Sequence, residues 1–355
     1  MTARVDPVGE LPNLTDPAFG NPMLVHMTML LAALDRPALP DTTVSDVRIR
    51  ILRGVLNLER TRWINSLRID ELPSFAADTD RRPTRAAAVR AVVVATLTAP
   101  RSERACDRLL RTVPELADAD GLTVGRLCRW LRSLYPADEA GVAPLRPDLL
   151  AEQLLADTDD LPSLADAALA AVLADAAGVE AGSVDDQQTI TQILSELTRA
   201  SHREQVHAAV DHLLSRRLPA LVGRTIAVRH DRPLPPLPAA VAAALVAAPQ
   251  PECAADVVDT LPRSSHALAD LASVLAGQAV GFYRWLAAAA PDAYLPNLAG
   301  SLNNLANRLA KVGRHADALA PATEAVGLYH QLATELPERF RPYLQMAEDT
   351  LERVR

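Results

Sequence analysis

Three histidines, His202, His207 and His212, stand close enough in the chain to raise a metal site. Their spacing of five turns successive side chains about 140° apart on a helix, whereas ligand pairs at i and i+4 share a face. They read as solvated or capping residues. The stretch "SSHALAD", residues 264–270, offers a nucleophile, a base and an acid in Ser264, His266 and Asp270. Neighbours in sequence do not supply triad geometry, and Ser264 or Ser265 suits the N-cap of a following helix. Phosphoryl transfer needs a glycine-rich loop ending in Gly-Lys-Ser/Thr. The sole lysine, Lys311, follows Ala310, so that loop is missing. Cys106, Cys128 and Cys253 are too scattered for a zinc site or a disulfide scaffold and are expected as small buried hydrophobes in a reduced cytoplasm. No catalytic residue, metal ligand or cofactor is assigned.

Charge gives a second kind of chemistry. The net charge is −8, yet residues 81–132 carry eleven Arg against five acids, +6, which leaves −14 for the remainder. Arg101, Arg104, Arg108 and Arg111 fall on one helical face, and Arg126, Arg129 and Arg132 line another helix. Such a surface could hold DNA phosphates. Against that stand the core pattern of Leu127, Trp130, Leu131 and Leu134 and the interrupting Glu103 and Asp107.

The elements that must position these residues are helices. Aromatics make up only 3% of the 355 residues, alanine is abundant and Gly numbers 14, a composition for helices packed through small side chains. The opening "MTARVDPVGELP" has acids and prolines where a signal peptide has a basic start and an apolar run. The longest uncharged stretch, from Pro233, is cut by six prolines, so no membrane helix is expected and the protein is placed in the cytoplasm.

Along the chain, Asn21 and Pro22 read as N-cap and first residue of a helix with Met23, Met27, Leu30 and Leu34 on one face. Residues 41–72 read as one long amphipathic helix, with Ile51, Val55, Leu58 and Arg62 along one side and Leu52, Leu56, Trp63 and Leu67 beside them. Polar punctuation near residue 80 marks a boundary. Helices at 85–97, 102–113 and 123–135, an extended piece at 142–146 and a helix opening at Pro147 and Asp148 suggest a winged-helix-like domain. Helices continue to about 262, with breaks expected at 181–182, Pro219 and the proline run 231–238. "AVGFYRWLAAAAPDAYLP" from Ala279 then matches "AVGLYHQLATELPERFRP" from Ala325, with eight identities in eighteen positions and a period of 46. Between them a helix at 297–312, a turn at Gly313 and a helix from His315 are expected. Glu348 and Glu352 replace Leu302 and Ala306 one period on, so the last helix is expected to cap the stack or fray.

Residues 295–319, "LPNLAGSLNNLANRLAKVGRHADAL", resemble a tetratricopeptide repeat of the long-period kind found in actinobacterial proteins. Leu302, Leu305, Ala306, Leu309, Ala318 and Ala325 match its core and small-residue positions, while Ala322 and His330 depart from its usual aromatic and proline. "GNPMLVHMTMLLAAL" resembles the Gly-x-Pro segment of STAND-type nucleotide switches, in which the proline packs on adenine and a winged helix and helical repeats follow. The resemblance would put Gly20, Asn21, Pro22 and Asp148 beside a nucleotide, although Pro147 replaces the family's sensing histidine. The chain would then correspond to the back half of such a switch.

The expectation is an all-α fold with a minor extended piece: a Gly-x-Pro segment at 1–40, a linking helix at 41–79, a winged-helix-like module at 80–160, a helical arm at 161–262 and a solenoid of tetratricopeptide-like hairpins at 263–355. The expected function is non-enzymatic binding of a protein partner, as a peptide or helix, with apolar recognition at Leu302, Leu309 and Tyr329. DNA binding through Arg126, Arg129 and Arg132 is the runner-up, and residual adenine-nucleotide binding the third reading.

Overall fold

Eight consecutive residues, Ala91 to Thr98, are all buried, as in a helix enclosed on every side. They belong to α3 (Arg82–Thr98), the centre of the N-terminal part of a computed structural model that describes residues 20–34, 46–68, 72–75, 82–137, 140–174, 184–227, 237–262 and 265–355. Three valines in a row are weak helix formers, so burial and not propensity decides this element. The buried hydroxyl of Thr98 donates to Val94 O at 2.7 Å. Ala99, at φ 41°, and Pro100 end the helix.

The architecture is all-α: fifteen α-helices and no strand among the described residues. The chain divides into two compact units, Met1–Ala171 and Val172–Arg355, a coarser grouping than the five segments read from sequence.

In the first unit, α1 (Pro22–Ala33) packs on α2 (Val47–Ser66), and α2 packs on α3 and α6 (Asp148–Ala156). The buried face of α1 is Leu24, Met27, Thr28 and Leu31; Met23, Leu30 and Leu34 are exposed, one position off the expected stripe. On α2, Ile51, Leu52, Val55, Leu56 and Trp63 are buried as expected, whereas Arg62 is exposed and pairs with Glu59 at 3.3 Å. α4 (Glu103–Leu110) and α5 (Gly121–Leu134) pack on each other and on α3. The extended piece reduces to one antiparallel bridge, Pro136 to Val142, with Ala143 N donating to Tyr135 O at 2.9 Å. α7 (Leu161–Ala174) contains the division between the units. Residues 35–45 and 76–81, including the boundary expected near 80, lie outside the described residues.

Polar clasps tie this unit together. Arg53 donates from Nε and Nη2 to Asp157 Oδ1 at 3.1 and 2.9 Å, and Gln153 donates to the same oxygen at 2.9 Å. Arg90 joins Asp160, at 2.8 Å, to Glu115. Trp63 donates to Tyr135 Oη at 2.6 Å, and that hydroxyl donates to Glu59 at 3.1 Å. Burial beside Glu59 pushes the Tyr135 phenol well up.

In the second unit, α8 (Val184–Arg199) and α9 (Glu204–Ala227) precede α10 (Leu237–Ala247) and the short α11 (Pro251–Val257). The break expected at Pro219 is absent, and α9 runs through it. Proline removes the donor that Ser215 O would have had; Cys253 Sγ approaches that carbonyl at 3.9 Å instead. Gln278, on α12 (Ala269–Ala289), donates to Leu245 O at 2.7 Å and accepts from Gln250 N at 2.8 Å, closing the turn between α10 and α11. Residues 175–183 and 228–236, with the breaks expected there, lie outside the described residues.

The repeat in sequence is a repeat in helices. α12 and α14 (His315–Glu335) are each 21 residues long and begin 46 apart; α13 (Pro291–Lys311) and α15 (Pro337–Val354) also begin 46 apart. α13 starts at Pro291, six residues before the expected 297, because proline fits the first helical position. Single residues join the pairs, Ala290 at φ −144° and ψ 77° and Leu336 at φ −132° and ψ 75°. Gly313, at φ 78°, makes the turn between α13 and α14, a conformation that favours glycine. α15 does not fray: Phe340, Ala347, Thr350 and Val354 are buried while Glu348 and Glu352 face outward.

Candidate functional site

The residues assigned as repeat core are inside. Leu302, Ala306, Leu309, Ala318 and Ala325 are buried and Leu305 is half-buried. The expected apolar recognition at Leu302, Leu309 and Tyr329 is therefore corrected: these side chains pack helix against helix and present no surface to a partner. Alanine at the contacts of α13, α14 and α15 lets the backbones approach, which is why the apolar groups there are consumed in packing.

The open surface of this region lies one helical face away. α13 presents Asn297, Gly300, Ser301 and Asn304 at helical spacing, α12 presents Tyr283, and the short 3-10 turn after α11 presents Asp259. They line a groove of about 200 Å³ whose floor is Ala276 and Ala279. Asn304 Nδ2 lies 3.5 Å from Asp259 Oδ1, and Arg308, one turn on, donates to Pro262 O at 2.9 Å, fixing one end. A Cβ on Gly300 would stand 3.3 Å from Tyr329 Oη, so the close passage of α14 behind the groove favours glycine there. Burial pushes the Tyr329 phenol up to about 12, leaving it a neutral donor at physiological pH. The chemistry on offer is hydrogen bonding by side-chain amides and a hydroxyl around an aromatic face.

None of the groove residues was singled out in the sequence. Signal existed in the register of the repeat: Gly300 aligns with Met346 and Asn297 with Tyr343, so the first repeat is small and polar where the second is large.

Gly20, Asn21 and Pro22 are exposed, and Asn21 Oδ1 accepts from Met23 N at 3.0 Å, so that oxygen is committed to capping its own helix. Asp148 opens α6 and is ion-paired with Arg146. α2 packs on both α1 and α6 and links the two segments. On α5, Arg129 is exposed and Arg126 and Arg132 half-exposed, on the side opposite the buried Leu127, Leu131 and Leu134. None of the three is ion-paired among the described residues. Arg111 is spent on Asp107, at 3.1 Å, and on Ala119 O.

The remaining candidates do not converge. His202 and His207 are exposed, and no group of three His, Cys, Asp or Glu with metal-site geometry occurs among the described residues. Ser264 lies outside the described residues. The N-cap of α12 is Leu268, without a side-chain hydrogen bond, and the 3-10 turn His266–Leu268 precedes it. Cys106 and Cys128 are buried, and a hydrogen bond from their proximity together with burial drives the Cys128 thiol far up, keeping it protonated. Cys253 is only half-buried, contrary to expectation. No helix among the described residues is long and apolar enough to cross a membrane.

No known protein family, curated protein or solved structure matches the chain.

Proposed function

We propose that this chain is a non-enzymatic cytoplasmic interaction protein that holds a segment of a protein partner in the groove between α11, α12 and α13. The likeness of residues 295–319 to a tetratricopeptide repeat supports it, as does the order of segments shared with STAND-type signalling switches. One observation carries it: the groove of about 200 Å³ framed by Tyr283, Asn297, Ser301 and Asn304, on a helical pair whose apolar side chains are already used. Amide side chains carry a donor and an acceptor each, the pair that a peptide backbone also presents. Such binding would be tested by panning the full chain against a display library of short random peptides and following hydrogen exchange with the enriched ones. Slower exchange of the α12 and α13 amides is expected; protection confined to the first unit, or no enrichment, overturns the reading.

A second reading has its own support in Arg126, Arg129 and Arg132. Elsewhere in the first unit Arg53, Arg62, Arg90 and Arg111 pair with acids, while these three have no ion pair among the described residues. Binding to duplex DNA should then weaken steeply with salt and fall when Arg126 and Arg129 are replaced by alanine. Absence of a mobility shift at low salt removes it.

A further inference from the structure

Shifting every groove residue by the 46-residue period shows what fills the equivalent place in the next repeat. Tyr283 becomes Tyr329, Asn297 becomes Tyr343, Gly300 becomes Met346, Ser301 becomes Ala347 and Asn304 becomes Thr350. In that second interval the Tyr343 ring stacks on Tyr329, with centroids 5.8 Å apart and planes 16° from parallel, and Tyr329 is left only 4% exposed. Tyr283 meets the edge of the adjacent Phe282, with centroids 5.5 Å apart and planes at 61°, and among the described residues no ring stacks on its face. Asn297 stands where the stacking ring would originate and Gly300 where Met346 would flank it, so Tyr283 remains partly exposed to the groove. The groove is the space that a tyrosine occupies one repeat later.

Asp259 is the one charged residue in the groove lining, and Arg308 stands at one end on Pro262 O. Glu252, Asp256 and Asp259 are exposed at i, i+4 and i+7 along α11 and the turn after it, and none is ion-paired among the described residues. Ala255 and Val258, between them, line the groove.

Resting on the peptide-binding reading above, we propose that the groove accepts an aromatic side chain of a partner peptide, stacked on Tyr283 as Tyr343 stacks on Tyr329, with an adjacent Lys or Arg of the peptide paired to Asp259. The volume supports a single planar side chain: whole small-molecule ligands take pockets of about 300–1,000 Å³. Offset stacking of two rings at 4.5–7 Å is the favoured geometry for such a pair. Asn297 and Asn304 flank the ring and would hydrogen-bond the peptide groups on either side of it.

The test copies the second repeat into the first. The full chain, unaltered and carrying Asn297→Tyr, is panned against the same random-peptide library, and the affinity of an enriched peptide is measured for both. Peptides pairing Tyr, Phe or Trp with a neighbouring Lys or Arg should dominate on the unaltered chain. Their affinity should fall at least about tenfold with Asn297→Tyr, which supplies the ring internally, while the melting temperature holds or rises. Should that variant lose its fold, Tyr283→Ala, which removes the stacking platform, must give the same loss. Asp259→Asn should reduce the preference for the basic neighbour alone. Enriched peptides that lack an aromatic, or that bind both variants unchanged, overturn the proposal yet leave the peptide-binding reading standing if α12 and α13 are still protected. Failure to enrich any peptide protecting α12 and α13 overturns both.

Discussion

In the first unit, residues far apart in sequence are tied by polar side chains: Arg53 reaches Asp157, Arg90 reaches Glu115 and Asp160, and the indoles of Trp63 and Trp130 reach Tyr135 and Ser66. In α12–α15 each helix packs chiefly on the next one in the chain, and Ala306, Ala318, Ala322 and Ala325 within that packing are all fully buried. The first arrangement tolerates bulky, varied side chains because each hydrogen bond specifies one geometry. The second depends on the absence of bulk. What distinguishes the two regions is therefore the kind of error each can survive: loss of a partner atom damages the first, and gain of volume damages the second.

The largest expected effect tests the first half of that contrast. Trp63→Ala removes a fully buried ring and leaves Tyr135 Oη without its donor, and should cost about 3–5 kcal/mol in chemical denaturation. Next, Ala325→Leu should destabilise the second unit by about 1–3 kcal/mol, with faster hydrogen exchange in α13 and α14. An unchanged midpoint would show that the small residues are not what sets the helix spacing. Removing a clasp partner should be milder. Asp157→Ala removes the carboxylate that Arg53 and Gln153 share, and since the Arg53 side chain is 41% exposed the loss should be about 1–2 kcal/mol.

Acid sharpens the contrast further. Asp120 caps α5, and hydrogen bonds from Ser74 and then Thr123 hold its carboxyl well below the ordinary carboxylate range. A folded-state pKa below the unfolded value gives stabilisation that is present above about pH 4 and lost as pH falls below it. The melting temperature of the parent should exceed that of Asp120→Asn at neutral pH, and the two should converge in acid. The smallest effect is expected for Arg284→Ala, whose ion pair with Glu324 is open to solvent on both sides; a change within about 0.5 kcal/mol is expected, and a larger one would mean that α12 and α14 rely on charge after all.

Much of this arrangement was legible in the sequence. Period-46 identity between the stretches at Ala279 and Ala325 fixes the last four helices, because connectors and helix starts repeat with it. Asn21 and Gly313 mark helix ends by local chemistry that a chain of letters carries openly, whereas the helix expected over 41–72 is observed over Val47–Ser66 with Asp46 as its cap. Pro219 was misleading because a helix interior can absorb a proline when another group reaches the freed carbonyl, and Cys253 is 38 residues from Ser215 in sequence. The buried stripe of α1 was misplaced for a related reason: in an almost wholly apolar helix, periodicity alone does not choose the side. The groove was invisible while Leu302 and Leu309 drew attention, since a recognition surface built from Asn, Ser and Gly has no hydrophobic signature.

The one-residue connectors have a kinetic consequence. Ala290 and Leu336 reverse the chain with almost no loop to close, so each of the last helices finds its partner among residues it already adjoins. Contacts of such short range form early and fast, and nearest-neighbour arrays unfold piecemeal from an end. Amide protection should accordingly decline along the C-terminal stretch, steepest at α15, which docks through a single face. A peptide seated beside α12 and α13 would thus rest on helices that are each held from both sides, α12 by α11 and α13 and α13 by α12 and α14.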